Sequence, residues 1–180
     1  FSWFSDFSLS HNREKIKELA SGQLKDEANA WFVGEPFKVF YDYKKEGIWQ
    51  LGEEAAAAAN GQEPGDIKVQ DVDGNGVITT DDRIIYSQRP DVTFGFNNTF
   101  NYKGFDLSVF LYARLGQWIA YDYNTTYRIN ALENGGNVDY WTPENPTNAF
   151  PRPNKSKSYT QVTYYSTLKY EDGSFFKIRD

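Results

Sequence analysis

The strongest constraint in this sequence is a period of two that runs from Val92 to Ala113 and breaks once. Phe94, Phe96, Phe100 and Tyr102 share one parity, while Thr93, Gly95, Asn97, Thr99 and Asn101 take the other. Lys103-Gly104 interrupts the pattern. Beyond it Phe105, Leu107, Val109, Leu111 and Ala113 resume the apolar parity, opposite Asp106, Ser108, Tyr112 and Arg114. Successive side chains of a strand point to opposite faces, so the pattern predicts two strands joined by a minimal turn. Strands of roughly ten residues, greasy on one face and small or polar on the other, fit a hairpin of an outer-membrane barrel. They also fit a hairpin of a soluble sandwich, buried on one side, which is the commoner setting. The period alone does not choose between them.

Composition narrows the choice only a little. Aromatic residues make up 18% of the chain, although its mean hydropathy is −0.69. That pairing suits proteins that set Tyr, Trp and Phe at a boundary between water and an apolar phase. Carbohydrate-binding surfaces share it. The chain has no cysteine, which excludes disulfides and thiolate metal sites. It also has no methionine and opens on Phe1-Ser2-Trp3-Phe4 rather than a signal peptide, as expected of a processed chain or a fragment. No apolar run approaches the ~20 residues of a membrane-spanning helix. A net charge of −6 argues against a nucleic-acid partner, because phosphate binding requires a basic surface.

Other segments are read less firmly. Phe1 to Ser10 alternates loosely and reads as a strand. Asn12 reads as the N-cap of a short helix from Arg13 to Leu19, closed by Gly22 and anchored only by Ile16 and Leu19. Glu53 to Ala59 is a run of strong helix formers stopped by Asn60-Gly61, and Pro64-Gly65 marks a turn. From Gly116 to Asp172 no helix or strand pattern persists. A connection this long is functional or disordered, and its aromatic content disfavours disorder.

Asp71-Val72-Asp73-Gly74-Asn75-Gly76-Val77-Ile78-Thr79-Thr80-Asp81-Asp82 follows the oxygen spacing of an EF-hand calcium loop. Asp71, Asp73 and Asn75 supply oxygens at the first, third and fifth positions. Gly76 permits the sharp turn, and Val77 offers a backbone carbonyl. Thr79 stands where a ligand works through water, and Asp82 stands where a bidentate Glu is usual. The flanks, Ile67-Lys68-Val69 and Ile84-Ile85-Tyr86, look extended rather than helical, so the loop is expected on another scaffold. The bland alternative is an Asp/Asn/Gly turn without metal. If Ca2+ binds, its role is structural.

Catalysis finds no support in the residue pattern. His11 is the only histidine and stands beside the expected helix start, where a structural role is its ordinary use. No nucleophile elbow is present. The acid pairs Glu53-Glu54 and Glu171-Asp172 could serve a glycosidase in principle, but adjacent carboxylates in turns and helix starts are normally solvated.

Seven short motifs, taken in order, resemble a known family. They are Val33-Gly34-Glu35-Pro36, Gly47-Ile48-Trp49-Gln50, Pro64-Gly65-Asp66-Ile67-Lys68 leading to the acidic loop, Phe94-Gly95-Phe96-Asn97-Asn98, Tyr102-Lys103-Gly104-Phe105-Asp106-Leu107-Ser108-Val109-Phe110, Tyr140-Trp141-Thr142-Pro143-Glu144-Asn145-Pro146-Thr147 and Glu171-Asp172-Gly173-Ser174-Phe175. Together they resemble the C-terminal barrel region of TonB-dependent outer-membrane transporters of the SusC/RagA type. The resemblance implies an all-β fold class: an internal fragment of a transmembrane antiparallel β-barrel with long extracellular loops, short helices and an EF-hand-like calcium loop. It implies residues 1–11 as a barrel strand, 12–91 as an extracellular segment carrying the calcium loop 71–82, and 92–115 as a barrel hairpin with a periplasmic turn at 103–104. Residues 116–172 become a second extracellular loop, and 173–180 the start of the next strand. It further implies an intact, non-enzymatic importer of oligosaccharides or peptides in the outer membrane of a Gram-negative bacterium. That importer is bathed in outer-membrane lipid, driven by TonB through parts of the protein beyond this chain, and paired with a SusD-like surface lipoprotein. Tyr140, Trp141 and Pro143 are its candidate partner contacts, self-packing of the loop being the alternative. The reading that competes from composition and pattern is a soluble, secreted, calcium-stabilised carbohydrate-binding or adhesive β module.

Overall fold

The computed structural model describes residues 1–20, 22–122, 137–153 and 162–179. The described residues are almost entirely strand and loop, and divide into two compact units. The sheet unit comprises Phe1–Phe40, Ile85–Ile119 and Asp172–Asp180, and the core unit comprises Tyr41–Ile84 and Ala120–Glu171. In chain order the strands are β1 (Ser2–Ser10), β2 (Lys25–Asp26), β3 (Trp31–Phe32), β4 (Val39–Tyr43), β5 (Lys45–Ile48), β6 (Ile67–Val69), β7 (Arg83–Ser87), β8 (Val92–Tyr102), β9 (Phe105–Leu115), β10 (Trp118–Ala120), β11 (Tyr170–Asp172) and β12 (Phe175–Arg179). A single α-helix among the described residues, α1, covers Glu54–Ala59.

The sheet unit is organised by a four-stranded antiparallel sheet in the order β1-β8-β9-β12. The predicted hairpin forms with the predicted turn: Tyr102 faces Phe105, and Val92 faces Leu115 at the other end. Both turn residues take positive φ, 47° at Lys103 and 85° at Gly104. A two-residue turn of the hand that matches strand twist requires this, and glycine meets the demand without strain. β1 lies along the other edge of β8, with Trp3 opposite Phe100, Phe7 opposite Phe96 and Leu9 opposite Phe94. β12 closes on β9 through Phe176 opposite Ala113 and Ile178 opposite Leu111.

This register puts the apolar parities of all four strands on one face. That face is open: Trp3 is 61% exposed, Leu107 56% and Ile178 64%. Rings pack only laterally along it, Trp3 stacking on Phe100 at 6.1 Å and Phe7 tilting against Phe94 at 5.5 Å. Asn98 and, opposite it, Ser5 are the polar exceptions, and Asn98 is accounted for. It is buried, and its Oδ1 accepts the Trp3 indole N–H at 3.1 Å. The opposite face carries hydroxyls and amides, with Ser108 donating to Asn97 at 3.4 Å. Phe110, Tyr112 and Phe175 form an aromatic row on that polar face, a departure from strict alternation. The sheet is not closed within this chain. β1 and β12 are its outer strands.

Two expectations need correction. The helix expected over Arg13–Leu19 does not form. Ile16 instead bridges to Val33, its N–H donating to the Glu35 carbonyl at 2.9 Å while Gly34 donates to the Ile16 carbonyl at 2.8 Å. Two apolar anchors cannot repay helix nucleation when the neighbouring segment 33–35 offers the backbone partners directly. Gly22 does end a turn, donating to Leu19. The described residues of the stretch 116–172 also hold regular elements that its sequence does not announce: β10, a 3₁₀ turn over Tyr165–Lys169, and β11, which pairs with β10. The glycine pair of Asn134-Gly135-Gly136 in that stretch lies outside the described residues.

The core unit has a conventional apolar interior. Ile48, Ile67, Val69, Trp141, Tyr165 and Leu168 form it, with Tyr43, Ile78, Phe150, Val162 and Tyr164 packed around them. β5 and β6 pair antiparallel, Ile48 opposite Ile67, which places both isoleucines inside. Among the described residues the buried side-chain polar atoms of this unit are hydrogen-bonded except Arg152 Nε, which stands 3.3 Å from Asp66 as an ion pair. Trp49 donates to Gln62 at 2.8 Å, and Gln62 donates onward to the Ile67 carbonyl at 2.9 Å. Asn148 Oδ1 accepts the Ile48 N–H at 2.9 Å, and it sits where a Cβ on Gly47 would stand only 2.7 Å away. β4 pairs with β7, and, within the sheet unit, β2 pairs with β3.

Candidate metal centre

The loop 71–82 is shaped by its own acidic side chains. Asp71 accepts backbone N–H groups with both oxygens, from Gly74 and from Gly76, each at 2.7 Å. Asp73 accepts from the Asn75 backbone at 3.0 Å and from its side chain at 2.8 Å, and Asn75 Oδ1 accepts from Val77 at 2.7 Å. Gly74 and Gly76 both adopt positive φ, 72° and 85°, which lets the chain wrap around these oxygens.

Asp82 closes the loop. Its Oδ1 accepts the Val72 N–H at 2.8 Å and its Oδ2 the Thr79 N–H at 2.7 Å, while Thr79 caps the 3₁₀ turn Thr80–Asp82 in return. The residue is fully buried, yet the Thr79 backbone hydrogen bond, helped by those from Val72 and Asp73, holds its carboxyl below the ordinary aspartate range. It stays an anion.

The donor set fits a hard cation. One carboxylate oxygen from each of Asp71, Asp73 and Asp82 lies within 4.8 Å of the others. Calcium takes oxygens at roughly 2.3–2.6 Å, so oxygens around one ion stand up to about 5 Å apart. The hydrogen bonds do not use up the acceptors, because each carboxylate oxygen carries two lone pairs. Asn75 shares the same turn, and Val77 exposes its side chain to solvent.

A residue outside the motif holds the loop in place. Asn60, at the C-cap of α1, accepts the Ile78 N–H at 2.9 Å and donates to the Ala56 carbonyl at 3.2 Å. In the sequence Asn60 signals only a helix stop. Nothing in the spacing of residues 71–82 points back to it.

The three candidate partner contacts separate. Trp141 is 4% exposed, belongs to the core, and donates its indole N–H to Gln50 at 2.8 Å, so its ring is spent on its own unit. It also packs over Gly65, where an added Cβ would meet its ring at 2.7 Å, which gives the Pro64-Gly65 turn a packing reason. Tyr140 and Pro143 are exposed. They border a small turn in which Asp139 accepts from Thr147 and Asn145. His11, in the sheet unit, shares a hydrogen bond with the Asp91 backbone carbonyl at 2.6 Å.

No protein-family model matches the chain. It is 32% identical over 202 aligned residues to TonB-dependent receptor P3 of Formosa agariphila, an alignment spanning all of this chain and 19% of the relative. It is 34% identical over 197 residues to TonB-dependent receptor P26 of the same organism, spanning 99% of this chain and 19% of that relative. Among solved structures it is similar to the RagAB peptide transporter, with a TM-score of 0.60 and 21% identity over 97% of this chain and 20% of that one. The RagAB peptide importer in its open-open state gives a TM-score of 0.61 at 22% identity, over 98% and 19%. The chain thus spans about a fifth of the length of the relatives it matches.

Proposed function

We propose, from the premise that this chain belongs along its whole length to the TonB-dependent receptors of the SusC/RagA type, that it forms part of the wall and surface loops of an outer-membrane nutrient importer. The whole protein takes up oligosaccharides or peptides, draws energy from TonB through its other segments, and works with a SusD-like lipoprotein. β1, β8, β9 and β12 cross the membrane, Lys103-Gly104 turns in the periplasm, and residues 12–91 and 116–172 face outward. Tyr140 and Pro143 are the exposed contacts offered to the lipoprotein.

The observation that carries this reading is the open apolar face of the sheet. An aqueous module would have to leave Trp3, Phe7, Leu107 and Ile178 in water together, a contiguous patch that soluble monomers rarely tolerate. Hydrocarbon removes that difficulty and uses the polar reverse face as a lumen wall. The test is a pair of substitutions in the full-length receptor. Leu107→Arg, on the apolar face, lowers the assembled outer-membrane fraction sharply, while Asn97→Arg, on the reverse face, is tolerated. Equal tolerance of both would end the reading.

Calcium, in this proposal, is a structural staple held by Asp71, Asp73, Asn75, the Val77 carbonyl and Asp82. When bound it cross-links oxygens from both ends of the loop. The residues already do half of that work: Asp82 ties Val72 to Thr79, and Asn60 ties Ile78 to α1. Calcium therefore adds rigidity to a loop preorganised by backbone hydrogen bonds.

A further inference from the structure

The reverse face of the sheet changes character along its length. Near the Lys103-Gly104 turn it carries Thr99, Asn101, Asp106 and Ser108. At the far end β9 and β12 place rings and cations there instead. Arg114 stands opposite Phe175, Tyr112 opposite Lys177, and Phe110 opposite Arg179, so each rung pairs one ring with one cation. The rings touch: centroids are 6.2 Å apart for Phe110 and Tyr112, and 5.8 Å for Tyr112 and Phe175. Their row crosses from β9 to β12, with Lys177 and Arg179 along one side and Arg114 on the other. It is packed laterally and open outward, Phe110 being 36% exposed and Phe175 38%. The edge of the Phe110 ring lies over Gly95, 3.5 Å from where a Cβ would stand. Opposite residues on one face have Cβ atoms about 5 Å apart and alternate residues of a strand about 7 Å, so one ligand about 14 Å long meets the whole patch. Among the described residues no carboxylate pairs with the three cations, although the chain carries a net charge of −6. Asp6 is the acid of the same rungs, and β8 separates it from Phe110.

Rings and cations together select among ligands. A peptide adding as a strand needs a free backbone edge, and β9 is paired on both sides. A neutral sugar could lie on the rings but would displace water from three cations and return hydroxyls only. A small inorganic anion would use the cations and leave the rings without purpose. Single-stranded nucleic acid uses stacking and charge together, but it requires a basic protein surface, which this acidic chain lacks. A sugar chain bearing carboxylates or sulfates uses both elements. The C–H groups of its rings lie against electron-rich aromatic faces, and its acid groups take charge-assisted hydrogen bonds from the flanking Arg and Lys. We propose that this patch is a binding site for acidic oligosaccharides on the lumen wall, Phe110, Tyr112 and Phe175 supporting the sugar rings and Arg114, Lys177 and Arg179 holding their acid groups. The proposal rests on the import reading and narrows it at one site.

The test uses the full-length receptor in detergent, with calorimetry as readout. The probes are trigalacturonate, its neutral methyl ester and a sulfated galactose trisaccharide; the two acidic probes separate carboxylate from sulfate as the preferred group. At least one acidic probe binds saturably, about tenfold or more tighter than the ester, the worth of at least one hydrogen bond to a charged group. K177Q with R179Q abolishes that preference, and F110A weakens acidic and neutral sugar alike. Lys177 and Arg179 are exposed, so their double variant assembles as the parent does. Equal binding of acidic and neutral sugar, or no binding of either acidic probe, overturns the proposal. So does triglutamate or a thymidine trinucleotide that binds as tightly and is lost in K177Q with R179Q, because charge alone would then be read. An F110A receptor with a lowered melting temperature and unchanged affinities also overturns it, assigning the rings to packing within the barrel. Failure here with Leu107→Arg still defective in assembly leaves the import reading intact; tolerance of Leu107→Arg removes that reading independently.

Discussion

The two units use the same aromatic vocabulary to opposite ends. In the sheet unit Trp3, Phe7 and Phe100 lie side by side on an open face and touch only lateral neighbours. In the core unit Trp49, Trp141 and Tyr165 are buried, and the two indole N–H groups find amide oxygens of Gln62 and Gln50. The difference lies in the polar atoms. Burial within a protein demands a partner for every donor, so the core unit is threaded with Gln and Asn side chains. A face turned toward hydrocarbon needs no such threading where its side chains lack donors, and the one indole there meets Asn98 within the sheet. The molecule thus carries two solutions to hiding apolar surface, one inward and one dependent on its surroundings.

The largest effect that could break this contrast comes from truncation. Ile67→Ala, at a fully buried position, is expected to destabilise the core unit by about 2–5 kcal/mol, whereas Ile178→Ala on the open face changes stability far less in a lipid-like environment, where no cavity forms. Denaturant melts of the receptor in detergent compare the two. Next comes Gly65→Ala. A φ of 91° and the approach of Trp141 and Arg152 make any side chain there unwelcome, at about 1–3 kcal/mol, and proteolysis of the core unit reports the loss. Asn60→Ala should cost about 1–2 kcal/mol by leaving the Ile78 N–H without its acceptor, and should weaken calcium-induced stabilisation as well. Asp71→Ala should remove the calcium-dependent rise in melting temperature altogether. A rise that survives the substitution removes the metal from the loop.

A smaller effect concerns pH. Burial, reinforced by Asp42, raises the Tyr170 hydroxyl above its ordinary value of 10.0. A raised folded-state value means the protonated form is favoured by folding. The contribution is fully present below pH 10 and declines as pH rises beyond it, once the unfolded chain begins to lose the proton first. Tyr170→Phe should flatten that alkaline decline in a melting-temperature profile. The smallest change expected is a gain: Lys103→Gly relieves a non-glycine residue at positive φ and should stabilise the hairpin by about 1 kcal/mol.

What the sequence disclosed depended on how far apart the interacting residues stand. The β8–β9 hairpin was readable because alternation and a two-residue turn are local, and its register follows once the turn is placed. The oxygen cluster of the acidic loop was readable for the same reason, since its spacing is contained in residues 71–82. The role of Asn60 was hidden because its contact partner lies 18 residues away, and the fate of Trp141 because its hydrogen-bond partner Gln50 lies 91 residues away. The segment 12–19 misled in the opposite sense. Its local helix signals were real but weak, and a bridge from Ile16 to Val33 overrode them. The patch of rings and cations had no local signature either, because Phe110 and Tyr112 meet Phe175 and Lys177 only through the pairing of β9 with β12.

The two-residue bend at Lys103-Gly104 also limits how proteins of this design can diversify. Pairing persists up to the residues flanking the bend, so an added amino acid there must either replace the two-residue turn by a longer, bulged one or shift β9 by one place and reverse its faces. Growth by insertion at that end of the hairpin therefore gives up the tight turn. It is free to accumulate at the opposite rim, where length changes leave the ladder undisturbed and new recognition surfaces can be acquired without rebuilding the wall.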